Sequence, residues 1–562
     1  MSDCCLNCVT CPGLKKSVVL ATYNDITPET RAILRKMDAL TLTALKILPP
    51  DLIKKNLNPW TNEDIKTEDV DLGWRKNGEG FDDWRKVHVT QIKKRVSPRL
   101  STYVLKEDDF FGKYTCIDSA INKGMSSSCL LPMIDQTTFF DSPEQADRVV
   151  KDLDLVEGMA LPESYDTDFD MLSDESFSRI FFYGLCAPLV AVQKPNDPAV
   201  RSDLGPYVVD LPMQDLPVRD ACRPYGARIH FGKDQIVTAI FDYHQNTFFR
   251  PGDEGWEVAK LLAKVSAFTL VTAREHLIWS HLVLSNSMTT LKTLTLPPSH
   301  TLRRLLTVFT FRATEVNLSA FGTLVVETGI LHRALGMEFA GMETVFDMAY
   351  DQCNIYEPFP EHKLAPEISQ MADEGKFPYV TQGREYWSIV HNFVSEWIAQ
   401  AGDSAGDKYA LEFYNKMKES SDGQTYVIPD YSPANMINLL TQCIFVVTAH
   451  HELVGCVIDY IKLPSRAGFR LLKDHTKSEI DVQSFILGCL IGASTAIRMP
   501  ALMKSFDHYF GDGGAPAWER DVWNKFVENM QAQSQKVQNE DKTRTVEFKY
   551  FDPARFECSV SV

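Results

Sequence analysis

Four histidines on two segments are the side chains best suited to chemistry here: His276 and His281, five positions apart, and the adjacent His450 and His451. A neutral imidazole offers a nitrogen lone pair to a cation, so together they make a candidate metal site. Taken singly, each also reads as a hydrogen-bonded imidazole of the core. Positions five apart on a regular α-helix point about 140° away from each other, which would stop one ion from reaching both His276 and His281. A π-type turn widens the helix and brings such positions onto one face. Neighbouring helical residues diverge by about 100°, so only one of His450 and His451 can meet a shared ion.

The elements that must position these groups are two stretches without helix breakers. From Trp256 to Leu296 there is neither Gly nor Pro, and Val258, Leu261, Leu262, Val265, Phe268 and Val271 recur at steps of three and four. That pattern predicts one long helix or two abutting ones. Ala434 to Val454 is equally free of breakers and apolar on nearly every side, which predicts a helix inside a large domain. The apolar run Phe485 to Ile497 is too short to span a bilayer and reads as another buried helix. The first 170 residues look rich in loops, with regular structure denser from Phe177 onward.

The 562 residues carry 58 Lys and Arg against 75 Asp and Glu, a net charge of -17, so no broad basic field exists and nucleic acid is excluded as a charge-driven partner. The N-terminus lacks the basic and apolar regions of a secretory signal. Thirteen scattered Cys then favour free thiols in a reducing compartment, and the expected location is cytoplasmic. Cys4, Cys5, Cys8 and Cys11 form two overlapping CxxC steps, readable as half of a soft-metal site or as an oxidation-prone tail.

The text around the histidines adds a family. Trp256-Glu-Val-Ala-Lys260, His276 to His281, Leu296-Pro-Pro-Ser-His300, Glu315-Val-Asn317-Leu-Ser-Ala320 and Leu324-Val-Val-Glu-Thr-Gly329 follow one another in the order of the lipoxygenase metal-binding region. Phe377-Pro-Tyr, Tyr386-Trp-Ser-Ile, Phe393-Val-Ser-Glu-Trp397, Thr448-Ala-His-His451 and the closing Tyr550-Phe-Asp-Pro553 and Ser559-Val-Ser-Val562 continue the likeness. Phe177 to Pro188 belongs to it as well, so the sequence resembles lipoxygenases over roughly residues 100 to 562. The little chain ahead of His276 is similar to compact fungal and bacterial forms that lack an N-terminal β-sandwich.

The resemblance implies a mainly α fold: one large helical catalytic domain over 101–562 with long buried metal-binding helices and few short strands. Residues 1–100, which match poorly, are expected to be loop-rich or helical. It implies His276, His281 and His451 as ligands, with the α-carboxylate of Val562, and non-heme iron or manganese as the metal. It implies a monomeric dioxygenase that uses O2 to convert a polyunsaturated fatty acid into a lipid hydroperoxide, with room for a peripheral membrane contact. Leu324 matches the residue that clamps the pentadiene, and Ala320 the position where Ala accompanies S products and Gly R products. For both, ordinary helix packing is an equal reading.

Departures from the family pattern bear on activity. The position four after His451, usually Asn, His or Ser, is Gly455, so water, a neighbour such as Asp459, or no group of the chain fills it. Thr301 stands where Pro is usual, Phe309 where a His is common, and Cys558 where Asn precedes the terminal segment. Two alternatives therefore stand beside dioxygenation. One is a diverged metalloenzyme that isomerises hydroperoxides or oxidises a non-fatty substrate; the other is a metal-free lipid-binding or scaffold protein.

Overall fold

The computed structural model describes residues 65–78, 84–95 and 101–104 and most of 173–560. Cys4, Cys5, Cys8, Cys11, Asp459, Val562 and the run Phe485 to Ile497 lie outside the described residues. The architecture is mainly α, with two antiparallel sheets among the described residues.

The first sheet pairs β1 (Ile65–Lys76) with β2 (Trp84–Arg95), and β2 with β3 (Ser101–Val104). Both long strands have 12 residues, which corrects the expectation of loops or helix across 1–100 at these positions. The sheet continues past residue 100, with Ile92 facing Val104 across the ladder. The register slips between Val70 and Gly73, and such a bulge interrupts the alternation that marks a strand in sequence. Lys86 Nζ lies 2.9 Å from Glu412 Oε1 on the helix Lys408–Ser420, tying the sheet to the helical body.

The second sheet is a meander of β4 (Ala191–Val192), β5 (Tyr207–Leu211), β6 (Ala227–Phe231), β7 (Val237–Asp242) and β8 (Thr247–Phe249). Its turns follow local chemistry: Asp242 Oδ1 accepts from the amides of His244 and Gln245, and Asn246 takes a positive φ of 51°. Gly255, at φ 89°, then caps the helix that follows, a conformation natural to glycine.

That helix runs without a break from Trp256 to Thr295, α-helical at Trp256–Leu270, π-helical at Val271–Ser285, and α-helical again at Asn286–Thr295. Its start is fixed by the helix Asp174–Phe182, whose Asp174 Oδ1 accepts from Trp256 Nε1 at 2.8 Å and from Lys260 Nζ at 2.9 Å. Trp256 and Lys260 are one turn apart on the same face, so a single carboxylate holds both. The Trp-x-x-x-Lys spacing read from the sequence thus has a mechanical meaning.

The second long helix is likewise composite: α at Pro433–Phe445, π at Val446–His450, α at His451–Gly455. Its apolar window is 89% buried, so a helix long enough for a bilayer is here a core helix. It packs against Pro378–Ala401, which in turn packs against Ala517–Asp541. Aromatic rings fill that seam: Phe393 stacks on Phe526 at 4.2 Å, and Trp397 and Trp523 are fully buried.

The described C-terminal residues pack into the core. Arg555 Nε sits 3.2 Å from Glu452 Oε1, beside His451, and Phe556, Cys558, Ser559 and Val560 are all fully buried. Cys186, Cys222, Cys353, Cys443, Cys456 and Cys558 are buried.

Candidate metal centre

The π-helical segment decides the direction of the first two histidines. Positions that diverge on an α-helix are brought together here, and the Nε2 atoms of His276 and His281 stand 3.2 Å apart. Ser280 shows the same widening, its hydroxyl donating to the carbonyl of Glu275 five residues back at 2.7 Å. The second helix delivers His451, whose Nε2 lies 3.1 Å from that of His276 and 3.0 Å from that of His281. Three ring nitrogens from segments 170 or more residues apart in sequence thus form a nearly equilateral triangle.

The spacing tests what such a triangle can hold. Ligands about 2.1 Å from an ion stand about 3.0 Å apart when they meet at right angles and about 3.4 Å apart in a tetrahedron. The observed sides of 3.0 to 3.2 Å fit one face of an octahedron better than a tetrahedral arrangement.

Protonation agrees with that role. Burial, with the neighbouring His281 and His450, holds His276 well below the usual histidine range. Burial also pushes His281 down to about 4, against an opposing contribution from Asn317. These two rings are therefore neutral at physiological pH. Asn317 orients one of them: its Nδ2 donates to the His281 carbonyl at 3.2 Å, so its Oδ1 faces His281 Nδ1 at 3.1 Å. A proton on Nδ1 leaves the Nε2 lone pair pointing into the triangle.

His450 turns elsewhere. Its Nε2 is 3.4 Å from Glu275 Oε2, and Glu275 Oε1 accepts from Arg274 Nη2 at 2.7 Å and Nε at 3.0 Å. Glu275 is only 3% exposed. Burial alone would raise its carboxyl, but Arg274 and His450 outweigh that and hold it at about 2. These contacts join the residue before His276 to the residue before His451, bracing one π segment against the other.

The other sequence candidates fall as follows. Gly455 ends the helix begun by His451, and a β-carbon built there would lie 3.5 Å from His276 Nε2. Ala320 is buried, and Leu324 is partly buried against the core, its amide donating to the Ala320 carbonyl at 2.9 Å. Val562 and Asp459 lie outside the described residues. His300 stands apart from the triangle: its Nδ1 accepts from the Leu302 amide at 3.1 Å, capping the helix Thr301–Phe309.

Sequence reasoning gave no role to Asn317, Arg274 or Glu275. A signal existed for the last two: a charged pair in the middle of an apolar helix needs a partner when buried. Nothing local, however, says that the partner is His450.

No family model matches the chain, and no curated protein matches it. Solved structures do. A coral 8R-lipoxygenase superposes with a TM-score of 0.66 at 16% identity, over 84% of this chain and 79% of that one. A calcium-dependent 11R-lipoxygenase gives 0.67 at 15% identity, over 91% and 80%. A lipoxygenase variant in complex with arachidonate gives 0.66 at 16% identity, over 84% and 79%. At such low identity the likeness is one of architecture, and the fold of this chain is lipoxygenase-like.

Proposed function

We propose that this chain belongs to the lipoxygenase family and is a non-heme metal dioxygenase that converts polyunsaturated fatty acids into lipid hydroperoxides. The observation that carries the reading is the triangle of His276, His281 and His451 Nε2 atoms at the centre of a lipoxygenase-like fold.

In this reading the three imidazoles hold the ion, and the α-carboxylate of Val562 is a further ligand. The burial of the chain through Val560 and the Arg555–Glu452 contact beside His451 support that direction for the tail. Iron, or manganese in its place, held by these residues would supply the one-electron oxidation of a doubly allylic methylene that dioxygenation of a polyunsaturated fatty acid requires. Asn317 keeps a proton on His281 Nδ1 and so keeps Nε2 available. Ala320 and Leu324, linked by the Leu324 amide donating to the Ala320 carbonyl, are the side chains this reading offers to an acyl chain. Buried Leu277, Ile278, Leu282, Val447 and Leu453 on the ligand-bearing helices keep water scarce. In this reading the catalytic domain spans residues 101–562.

A second reading, rearrangement of a preformed hydroperoxide, is favoured by one observation, the absence of a side chain at Gly455. Protein expressed with iron and manganese supplied, then assayed for metal content and for O2 uptake with linoleate or arachidonate, separates the cases. Metal-loaded protein that consumes O2 and yields a chiral hydroperoxide is the expected result. Loaded protein that consumes none rejects dioxygenation, and protein that takes up no metal supports a lipid-binding scaffold. Extending the chain beyond Val562 should abolish metal retention and turnover, whereas Val562→Ile should be tolerated.

A further inference from the structure

A π-helical run of 15 residues is far longer than the single widened turn in which such distortions mostly occur, so contacts that favour this register over a regular α-helix must hold it. Three pairs of residues five positions apart succeed one another along the run: Arg274 with Trp279, Glu275 with Ser280, and His276 with His281. The guanidinium of Arg274 lies 5.0 Å from the centre of the Trp279 ring, the Ser280 hydroxyl donates to the Glu275 carbonyl at 2.7 Å, and the two histidine Nε2 atoms stand 3.2 Å apart. The first pair therefore uses the same widening that turns both histidines toward one point.

That pair is also fastened from outside. The helix Phe339–Asp351 packs along the π segment. Trp279 Nε1 donates to its Ala349 carbonyl at 2.7 Å, and Arg274 Nη1 donates to Oε1 of Gln352, the residue that caps the same helix, at 3.3 Å. Ala349 lies in the last turn, where carbonyls lose their intrahelical partners, and the Cys353 amide donates to Tyr350 at 3.1 Å. Trp279 and Ala349 are both buried, so one bond satisfies a buried donor and a buried acceptor.

The bond is sensitive to register. Seen from His276, a residue three positions on is turned by about 300° on an α-helix, but by about 245° on a helix that brings positions five apart together. Relaxing the run to α geometry would swing the indole by about 55° and carry it off the Ala349 carbonyl.

We infer that Trp279 is a positioning residue: docked on the Ala349 carbonyl and stacked under Arg274, it holds the π register that aims His276 and His281 at one ion, with the helix Phe339–Asp351 as the splint. Its effect on metal rests on the metal reading of the site; its effect on the spacing of the two histidines does not.

The test compares full-length wild type with Trp279→Leu, Trp279→Phe and a control, Trp397→Leu, which removes a fully buried tryptophan from the seam between Pro378–Ala401 and Ala517–Asp541. Each protein is titrated with Mn(II) and followed by electron paramagnetic resonance, its stability is read by denaturant unfolding, and crystal structures of the metal-free proteins give the distance between His276 and His281. Trp279→Leu should weaken manganese binding about 10 to 100-fold, the range typical for loss of a group that orients ligands, and alter the zero-field splitting of the bound ion. Its Nε2 atoms should stand farther apart than the 3.2 Å of wild type. Trp279→Phe, which keeps a ring under Arg274 and lacks the donor, should fall between the two. Trp397→Leu should lower the unfolding midpoint and leave manganese affinity and spectrum as they are. A Trp279→Leu protein with wild-type affinity and histidine spacing, or a Trp397→Leu protein that loses affinity to the same extent, overturns the positioning role. If Trp279→Leu does not fold, Trp279→Phe decides by the same criteria. Wild type that binds no manganese sinks the metal reading, and the histidine spacing in the metal-free variants then judges Trp279 separately.

Discussion

The two histidine-bearing helices solve different problems with the same device. The first must point two ligands five residues apart at one place, and it is π-helical for 15 residues around them. The second supplies one ligand, and its π segment is only five residues long, ending at His450. Regular α geometry resumes at His451, so His451 and Gly455 share a face while His450 swings toward Glu275. The length and the end point of the widened stretch therefore decide which imidazole faces the triangle. Where two ligands share a helix the distortion has to surround both; where one suffices it need only set the phase.

The largest effect should come from the first helix. His281→Ala removes one corner of the triangle, and the loss of metal affinity, read by elemental analysis after dialysis, should exceed the about 100-fold that outer partners typically command. Next comes the brace between the helices. Glu275→Ala strands Arg274 and His450 around a buried gap and should cost about 3–5 kcal/mol in denaturant unfolding, more than any exposed ion pair of this chain.

The same carboxylate gives a pH signature. Its folded value of about 2 lies below the ordinary 4.5, so it stabilises the fold fully above pH 4.5 and loses that contribution as pH falls toward 2. Glu275→Gln should flatten the acid limb of the stability curve in that window; an unchanged limb would remove Glu275 from the brace.

Asn317→Ala is smaller. It deletes both contacts to His281 and should lower metal affinity or turnover about 10 to 100-fold, with the overall unfolding midpoint moving far less than for Glu275→Ala. Smallest in rate is Ala320→Gly, which should shift the hydroperoxide from S toward R with total turnover largely retained, as chiral chromatography would show. An unchanged enantiomer ratio would detach Ala320 from the oxygenation site.

Some of this was plain in the chain itself. Both long helices stand out because breakers bound them and apolar residues crowd their interiors. The strands Ile65–Lys76 and Trp84–Arg95 do not stand out, since charged residues fill much of both and the slip between Val70 and Gly73 breaks the alternation. The pair at Arg274 and Glu275 was visible as charge in an apolar helix, yet its meaning needed His450, 175 positions away from Glu275.

Spacing alone determined the two central helices, their lengths and the shortlist of four imidazoles, because burial and helix periodicity are written in local residue types; the mainly helical architecture of the rest was implied by the family resemblance. Tertiary structure decided that His276, His281 and His451 meet while His450 does not, and that Gly455 opens onto them. The physical reason is directional. Where a side chain points depends on the turn-by-turn hydrogen-bond register of its helix and on the distant elements packed against it, and no local pattern encodes both.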